Sequence, residues 1–275
     1  MGGAVTSEIR KIFTTRLWWG MALGMALLAG LIALGFAALV GTDFGEDPSS
    51  GSNPFATMNV GTAQLIYNAG IIQNFTTLFP LALGVLLITS EYRHKTITAT
   101  FLTTPKRGVV LVSKSIAVAL IGAIYAVVHA LSSVVGGGLL LVGKGEPTLL
   151  GEGQVWQSLG IGILAFIVWT LLGFGFGMLV RNQIAAVLIA IGVAFIAHIA
   201  LNILFSIQEW ETPAKLLPGN LTAGMLVTVD PTGGQAASAF NPYFEHWWVS
   251  ALVLAAYAAV LAVTGSILTS RRDIS

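Results

Sequence analysis

The chain has 275 residues, of which 55% are hydrophobic and only 9% are charged. A soluble domain usually carries about 25% charged residues, so this composition excludes an ordinary soluble fold and is typical of an all-α polytopic membrane protein. The net charge of +1 provides no separate basic surface for nucleic acid, and a sequence without cysteine forms no disulfide and no cysteine-ligated metal site.

Residues 5–17 carry apolar side chains at helical spacing, with charged and hydroxyl groups between them. A basic amphipathic helix of this kind lies in the headgroup plane of a membrane. We therefore predict an interfacial elbow helix whose charged residues are Glu8, Arg10, Lys11 and Arg16. The alternative is that this stretch is only the wet start of the first transmembrane helix.

Six apolar runs are long enough to cross a hydrocarbon layer about 30 Å thick, which takes about 20 helical residues. The predicted spans cover residues 17–40, 65–89, 109–142, 158–180, 184–207 and 247–269, all within one domain, 1–275. The third run is longer than a bilayer needs. We expect it to project into the cytoplasm, to tilt, or to break at the three glycines 136–138.

Six spans would place both termini on one side of the membrane, together with the loops that follow the second and fourth spans. That side would hold every basic residue except Lys144 and Lys215, or 11 of 13. Lys and Arg concentrate in cytoplasmic loops. We therefore predict a multi-pass protein of the plasma membrane with both termini in the cytoplasm.

The first span contains Gly20-x-x-x-Gly24, a spacing that lets two helices approach closely. This pair serves either general packing or a dimer interface. The external segment 208–246 is apolar in its middle but too short to span. We expect short helices that dip into the outer leaflet, with an ordinary surface loop as the alternative.

Several polar side chains lie inside the predicted spans, and the second span, which Pro80 is expected to bend, is the most polar. Polar groups within a membrane are costly and usually face the bundle interior or a wet cavity. Two roles therefore stay open, hydrogen bonds between helices and the lining of a substrate cavity, for Asn68, Gln73, Asn74, Thr77, His129, His198 and Asn202.

Residues 90–107 form a charged segment between the second and third spans. Ser90 can cap a helix whose first turn carries Glu91, and Thr104 with Pro105 can begin the next helix. A bare linker between two spans could be much shorter. The pattern predicts a short helix that lies on the cytoplasmic surface.

The stretch Ser90-Glu-Tyr-Arg-His-Lys-Thr-Ile-Thr-Ala-Thr-Phe-Leu-Thr-Thr-Pro-Lys-Arg-Gly108 resembles the signature of bacterial ABC type-two permeases. Ser-Glu-Ile-Arg-Lys-Ile-Phe-Thr-Thr-Arg at residues 7–16 is similar to the elbow helix that opens such chains. The Leu-Leu-Pro-Gly-Asn stretch that ends at Asn220 resembles the external helices of that family. The resemblance extends over residues 7–272, in the family's order.

This resemblance implies a permease subunit that pairs with a second, identical or related permease and with two separate ATPase subunits, which bind ATP and Mg. It implies export of a hydrophobic or amphipathic substrate such as a drug, an antibiotic or a lipid. The dimer interface would be built largely from the first and fifth spans. Residues 90–107 would be the coupling helix, with ATPase contacts from Glu91, Tyr92, Arg93, His94, Lys95, Thr96 and Ile97.

The chain lacks the Gly-x-x-x-x-Gly-Lys-Ser/Thr pattern of a P-loop, so we expect no catalytic residue and no cofactor in the chain itself. Glu91-x-x-His94 has no second pair with which to form a metal site. The alternative function is an ion-coupled secondary transporter. Such proteins usually carry acids or bases within their spans, and here only His129 and His198 could serve.

Overall fold

The computed structural model of the chain describes residues 2–42, 53–94, 107–180, 182–232 and 246–271. These residues form helices joined by turns, and no strand occurs in the described ranges. The helices are α1 (Gly2–Thr14), α2 (Leu17–Ala38), α3 (Val60–Ile72), α4 (Leu78–Arg93), α5 (Arg107–Lys144), α6 (Gly153–Leu179), α7 (Gln183–Ile191), a π-helix (Gly192–Ala197), α8 (His198–Ile207), α9 (Glu211–Lys215), α10 (Pro218–Leu226) and α11 (Trp247–Arg271).

Five of the described helices are long and apolar enough to cross a membrane. They are Leu17–Ala38, Gly108–Lys144, Gly153–Leu179, Gln183–Ile207 and Trp247–Leu268, and each coincides with one of the predicted spans. The helix of the third run continues through the three glycines 136–138, so the break considered there does not occur. The π-helix interrupts the fifth span without ending it.

The predicted second span, 65–89, is not one helix, so the prediction of six continuous spans is not confirmed. Asn74 has φ +59°, a left-handed conformation that Asn adopts more readily than most residues, and it ends the helical path. The amide of Thr76 donates to the carbonyl of Gly70 at 3.0 Å, six residues back. Pro80 lies in the first turn of α4, where its missing N–H costs nothing.

The α1 end of the bundle brings together elements that are distant in sequence. Lys114 near the start of α5 contacts Glu8 of α1 and Glu91 near the end of α4. Nη1 of Arg93 donates to Oε1 of Gln183, the first residue of α7, at 3.2 Å. The end of α4 and the beginnings of α5 and α7 therefore lie on the same side of the molecule as α1.

The opposite end, below called the Lys144 end, is held by polar contacts of its own. Nζ of Lys144 donates to the carbonyl of Ala38 at 2.8 Å, where α2 ends. Asn59 caps α3, and its side-chain nitrogen Nδ2 donates to the carbonyl of Pro231 at 2.8 Å. Because α3 starts at this end and α4 stops at the α1 end, the two helices together run the length of the bundle.

Two glycines allow α4 and α6 to pack with their backbones nearly in contact. A Cβ atom on Gly173 would lie 2.0 Å from the carbonyl oxygen of Leu81, and one on Gly84 would lie 2.1 Å from that of Thr170. Small residues at such crossings are typical of helices packed within a membrane. At the break between α3 and α4, Asn74 and Thr76 are buried, whereas Gln73 and Phe75 are exposed.

Candidate functional site

Four charged side chains form an ion cluster at the α1 end: Glu8, Lys11, Glu91 and Lys114. Nζ of Lys114 donates to Oε2 of Glu8 at 2.7 Å and also to Oε1 of Glu91. Nζ of Lys11 lies 2.7 Å from Oε1 of Glu8 and 3.5 Å from Oε1 of Glu91. Two cations and two carboxylates thus alternate in one connected cluster.

The ion cluster is shielded from water except at Lys11. The side chains of Lys114 and Glu91 are 5% and 10% exposed, whereas that of Lys11 is 48% exposed. Burial acts to raise the pKa of Glu8, but hydrogen bonds and charges from Lys11 and Lys114 outweigh it and hold that pKa below its ordinary 4.5. Burial acts to lower the pKa of Lys11, yet Glu8 and Glu91 raise it above 10.5.

Each member of the ion cluster is positioned by helical geometry. Glu8 and Lys11 lie three residues apart on α1, so both project from one face of that helix. Glu91 lies in the last turn of α4, two residues before the helix ends at Arg93. Lys114 lies two turns into α5, between Ser113 and Ser115. The ion cluster therefore joins three helices, and two of them flank residues 95–106.

A cavity of about 380 Å³, below called the cluster cavity, adjoins these charges. Its polar lining includes all four members of the ion cluster with Thr15, Ser90 and His94, and its apolar lining comes from Ile12, Leu87, Ala117, Val118 and Phe174. Oε2 of Glu91 is buried and has no hydrogen-bond partner among the residues that the structure describes. The cavity thus combines both charge signs with an apolar wall.

The residues predicted to contact an ATPase divide into three groups. Glu91 is 8% exposed and belongs to the ion cluster, so its carboxylate faces the chain itself. Arg93 and His94 are exposed, and Tyr92 is half-buried. Lys95, Thr96 and Ile97 lie outside the described residues. Of the predicted elbow residues, Glu8 and Lys11 are in the ion cluster, whereas Arg10 and Arg16 are exposed.

The polar residues of α3 connect helices at the Lys144 end. Nε2 of Gln64 donates to the carbonyl of Gln154 at 3.0 Å and to Oγ1 of Thr228 at 2.8 Å, while its Oε1 accepts from the amide of Thr228. Nδ2 of Asn68 donates to Oγ of Ser158 at 2.8 Å. Of the two roles left open for Asn68, the structure shows a hydrogen bond between α3 and α6.

The candidate cavity residues near the helix break have different surroundings. Oγ1 of Thr77 donates to the carbonyl of Asn74 at 3.1 Å, and both residues are buried. Gln73 is exposed. His129 is buried on α5, with its ring 5.3 Å from that of Phe166. These four residues therefore do not form one lining.

A second cavity, of about 180 Å³, lies where the π-helix passes α4 and α6. His198 is the polar member of a lining that is otherwise apolar and includes Trp169 and Phe176. Nδ2 of Asn202 lies 3.0 Å from Nε2 of His198, and Oδ1 of Asn202 accepts from Asn220 at 2.7 Å. The predicted pair His198 and Asn202 thus combines cavity lining with hydrogen bonding.

The Gly20-x-x-x-Gly24 pair splits between the surface and the interior. No heavy atom comes within 4 Å of a Cβ placed on Gly20, whereas one on Gly24 would lie 3.4 Å from the ring of Phe79 in α4. Gly24 therefore packs within the chain. Gly20 lies on an open face where a partner could approach.

Sequence reasoning did not select Lys114 and Gln64 as site residues. The sequence does carry a signal for Lys114, since a lysine within a predicted membrane span requires a partner. The sequence carries no signal that Gln64 is a site residue, because it lies just before the predicted second span and its partners are 90 and 164 residues away.

Five of the described helices are long and apolar enough to cross a membrane, and polar contacts join the helices at both ends of the bundle. This arrangement is that of a membrane protein. The chain belongs to the DUF2705 family, whose model matches residues 26–275 and carries the description "protein of unknown function". No curated protein matches the chain.

Proposed function

We propose that the chain is the permease subunit of an ABC transporter, driven by ATP hydrolysis on separate ATPase subunits. The ion cluster is the observation that carries this function. It ties α1, α4 and α5 together beside residues 95–106, so a force applied to that segment reaches three helices at once. A membrane subunit that is driven by a separate ATPase needs such a connection between helices, because packed helices move as discrete units.

The topology follows from the two ends of the bundle. We infer that α3 and α4 cross the membrane jointly as a broken sixth span, since they start at the Lys144 end and stop at the α1 end. A broken backbone is tolerated at membrane depth where protein buries it. Six crossings would place both termini and residues 95–106 in the cytoplasm, in agreement with the distribution of Lys and Arg.

The second cavity supports a substrate with a large apolar part. Its lining is apolar apart from His198, and it lies against the π-helix, a feature frequent at functional sites. A hydrophobic or amphipathic compound such as a drug, an antibiotic or a lipid fits this lining, and export is the proposed direction.

Purification of the chain from membranes of its native host in mild detergent tests the ATPase partnership. We expect a P-loop ATPase to co-purify and to be identified by mass spectrometry. The double variant R93E/H94E alters two exposed residues beside residues 95–106 and is expected to reduce its recovery at least tenfold.

The matched control is E152K, which reverses an exposed charge at the Lys144 end and leaves recovery unchanged. Recovery of the wild-type chain without any ATPase, even after chemical cross-linking in membranes, would contradict the proposed function. That result would favour the ion-coupled transporter and make His129 and His198 the residues to replace.

A further inference from the structure

We propose that the cluster cavity binds the headgroup of an aminophospholipid, a zwitterionic lipid whose head carries a primary ammonium beside a phosphate. Four properties of the cavity point to this ligand: an acceptor without a donor, charges of both signs, its place beside an amphipathic helix, and its volume. This binding does not require that an ATPase drives the chain.

The acceptor is Oε2 of Glu91. The other oxygen of this carboxylate accepts from Lys114, while Oε2 is buried and has no partner within the described ranges. A buried carboxylate oxygen without a donor costs more than the loss of an ordinary hydrogen bond. An ammonium group with N–H bonds supplies the missing donor. A quaternary trimethylammonium group has no N–H and does not.

The charges around the cavity suit a zwitterion better than an anion or a cation. Two carboxylates and two ammonium groups of the ion cluster line it, so their formal charges cancel. Lys11 is the most exposed of the four and can reach a phosphate at the mouth of the cavity. Within the ion cluster, an anionic head would meet Glu8 and Glu91, and the hydroxyl donors of a glycerol head carry no positive charge to offset that of the carboxylate.

The depth of the cavity is that of lipid headgroups. Its outer wall is α1, which carries Ile12 on its buried side and exposed polar residues on the other, as an interfacial helix does. Trp18 and Trp19 follow directly at the start of α2, and indole rings concentrate at membrane interfaces. The side chains of Phe13 and Trp19 are 39% and 51% exposed at this level.

The volume also favours a headgroup over isolated water molecules. One water occupies about 30 Å³, so a space of about 380 Å³ exceeds what the single free oxygen requires. The apolar part of the lining, which includes Leu87, Val118 and Phe174, offers a contact for the glycerol and first acyl carbons. The cavity therefore matches the amphipathic character of a lipid and not only the charge of its head.

Native mass spectrometry of the purified chain measures the preference directly. The protein is released from nanodiscs that contain equal amounts of phosphatidylethanolamine, phosphatidylcholine and phosphatidylglycerol with the same acyl chains. We expect retained phosphatidylethanolamine to exceed each of the other two by about tenfold, which is about 1.4 kcal/mol of binding free energy from one added hydrogen bond to a charged group.

Two variants locate the bound lipid. E91Q removes the carboxylate and is expected to abolish the preference. A117L fills the cavity from the wall of α5 while leaving all four charges in place, so it tests the site even if E91Q fails to fold. The control E152Q neutralises an exposed carboxylate at the Lys144 end and is expected to retain the preference.

Equal retention of the three lipids by the wild-type chain would overturn the proposal, as would a preference that survives in both E91Q and A117L. A donor that comes from a lysine of a partner ATPase gives a different result. In that case lipid retention is equal, and E91Q lowers only the recovery of the ATPase, which again excludes the lipid.

Discussion

Lys114 is the residue on which the ion cluster depends. Its ammonium group is the only contact in the described residues that joins Glu8 to Glu91 from within the bundle, and its side chain is 5% exposed. Two carboxylates brought together at this depth would otherwise repel each other in a poorly solvated place. Lys11 assists from the outer side, where water screens part of its charge.

Replacement of Lys114 by methionine is therefore expected to destabilise the protein by about 3–5 kcal/mol, because it leaves two buried carboxylates without their shared cation. Thermal unfolding in detergent, followed by tryptophan fluorescence, measures the loss. The control is K144M, which removes an exposed cation that caps the end of α2 and is expected to cost at most about 1 kcal/mol. Equal losses in the two variants would show that the ion cluster does not stabilise the fold.

The stability of the protein should depend on pH through Glu8 and Lys11. The folded-state pKa of Glu8 lies below 4.5, so its contribution is complete above pH 4.5 and is lost as the pH falls through the folded pKa. The folded-state pKa of Lys11 lies above 10.5, so its contribution is complete below pH 10.5 and is lost as the pH rises through the folded pKa.

We expect E8Q to be less stable than the wild type between these limits and to lose less stability on acidification below pH 4.5. Unfolding temperatures over a pH series measure this, with E152Q as a control that keeps the wild-type profile. If the unfolding temperature of E8Q falls below pH 4.5 as steeply as that of the wild type, Glu8 does not carry the acid dependence.

Much of the ion cluster was visible in the sequence as separate charges, but their pairing was not. The sequence predicts Glu8 and Lys11 as charged residues of an elbow helix, and the family resemblance implies Glu91 as an ATPase contact of a coupling helix. In the structure these side chains face one another. The sequence did not indicate this pairing, because Lys114 is 106 residues from Glu8 and 23 from Glu91. Local patterns report which residues share a helix face, and only the packing of helices reports which faces meet.

Among the elements, the α3–α4 pair departs most from what its sequence predicts. Composition marked this run as the most polar, but the expected bend at Pro80 is wrong, since Pro80 lies in the first turn of α4. It did not locate the break, which depends on the left-handed Asn74 and on the hydrogen bond from the amide of Thr76 to the carbonyl of Gly70, six residues earlier. The other five spans were predicted to within about five residues at each end, since uninterrupted apolar length is the strongest signal a membrane helix has.

Helix α4 keeps its position through close backbone contact with α6. We expect G173A to destabilise the protein by about 1–3 kcal/mol, because the added methyl would lie 2.0 Å from the carbonyl oxygen of Leu81 and force the helices apart. The control is G35A on α2, where nothing lies within 4 Å of the new Cβ. Heat challenge in detergent followed by gel filtration measures the folded fraction, and equal fractions would mean that the α4–α6 contact is looser than described.

In the molecule as a whole, three spans have large uncovered apolar surfaces. Of the most apolar 18 residues, 28% are buried in Leu17–Ala38, 11% in Gln183–Ile207 and 22% in Trp247–Leu268. Both lipid and a second permease could cover these faces. The proposed function predicts the second permease, because an ABC transporter places its substrate path between two such subunits.

Substitution of Gly20 by tryptophan is expected to lower the dimer fraction in nanodiscs, since Gly20 is an open position on the first of these faces. G160W, at an open position on α6, serves as the control for added bulk. Single-molecule photobleaching counts the subunits. A dimer fraction that is the same in wild type and G20W would place the interface elsewhere.

Cross-linking in native membranes shows whether an ATPase lies against the α1 end of the bundle. The sequence contains no cysteine, so a single cysteine at His94 or at Glu152 can carry a photo-activated cross-linker without a background reaction. We predict that H94C forms an adduct with a P-loop ATPase, whereas E152C, at the Lys144 end, does not. An ATPase adduct from E152C alone, or adducts only with other proteins from H94C, would contradict it.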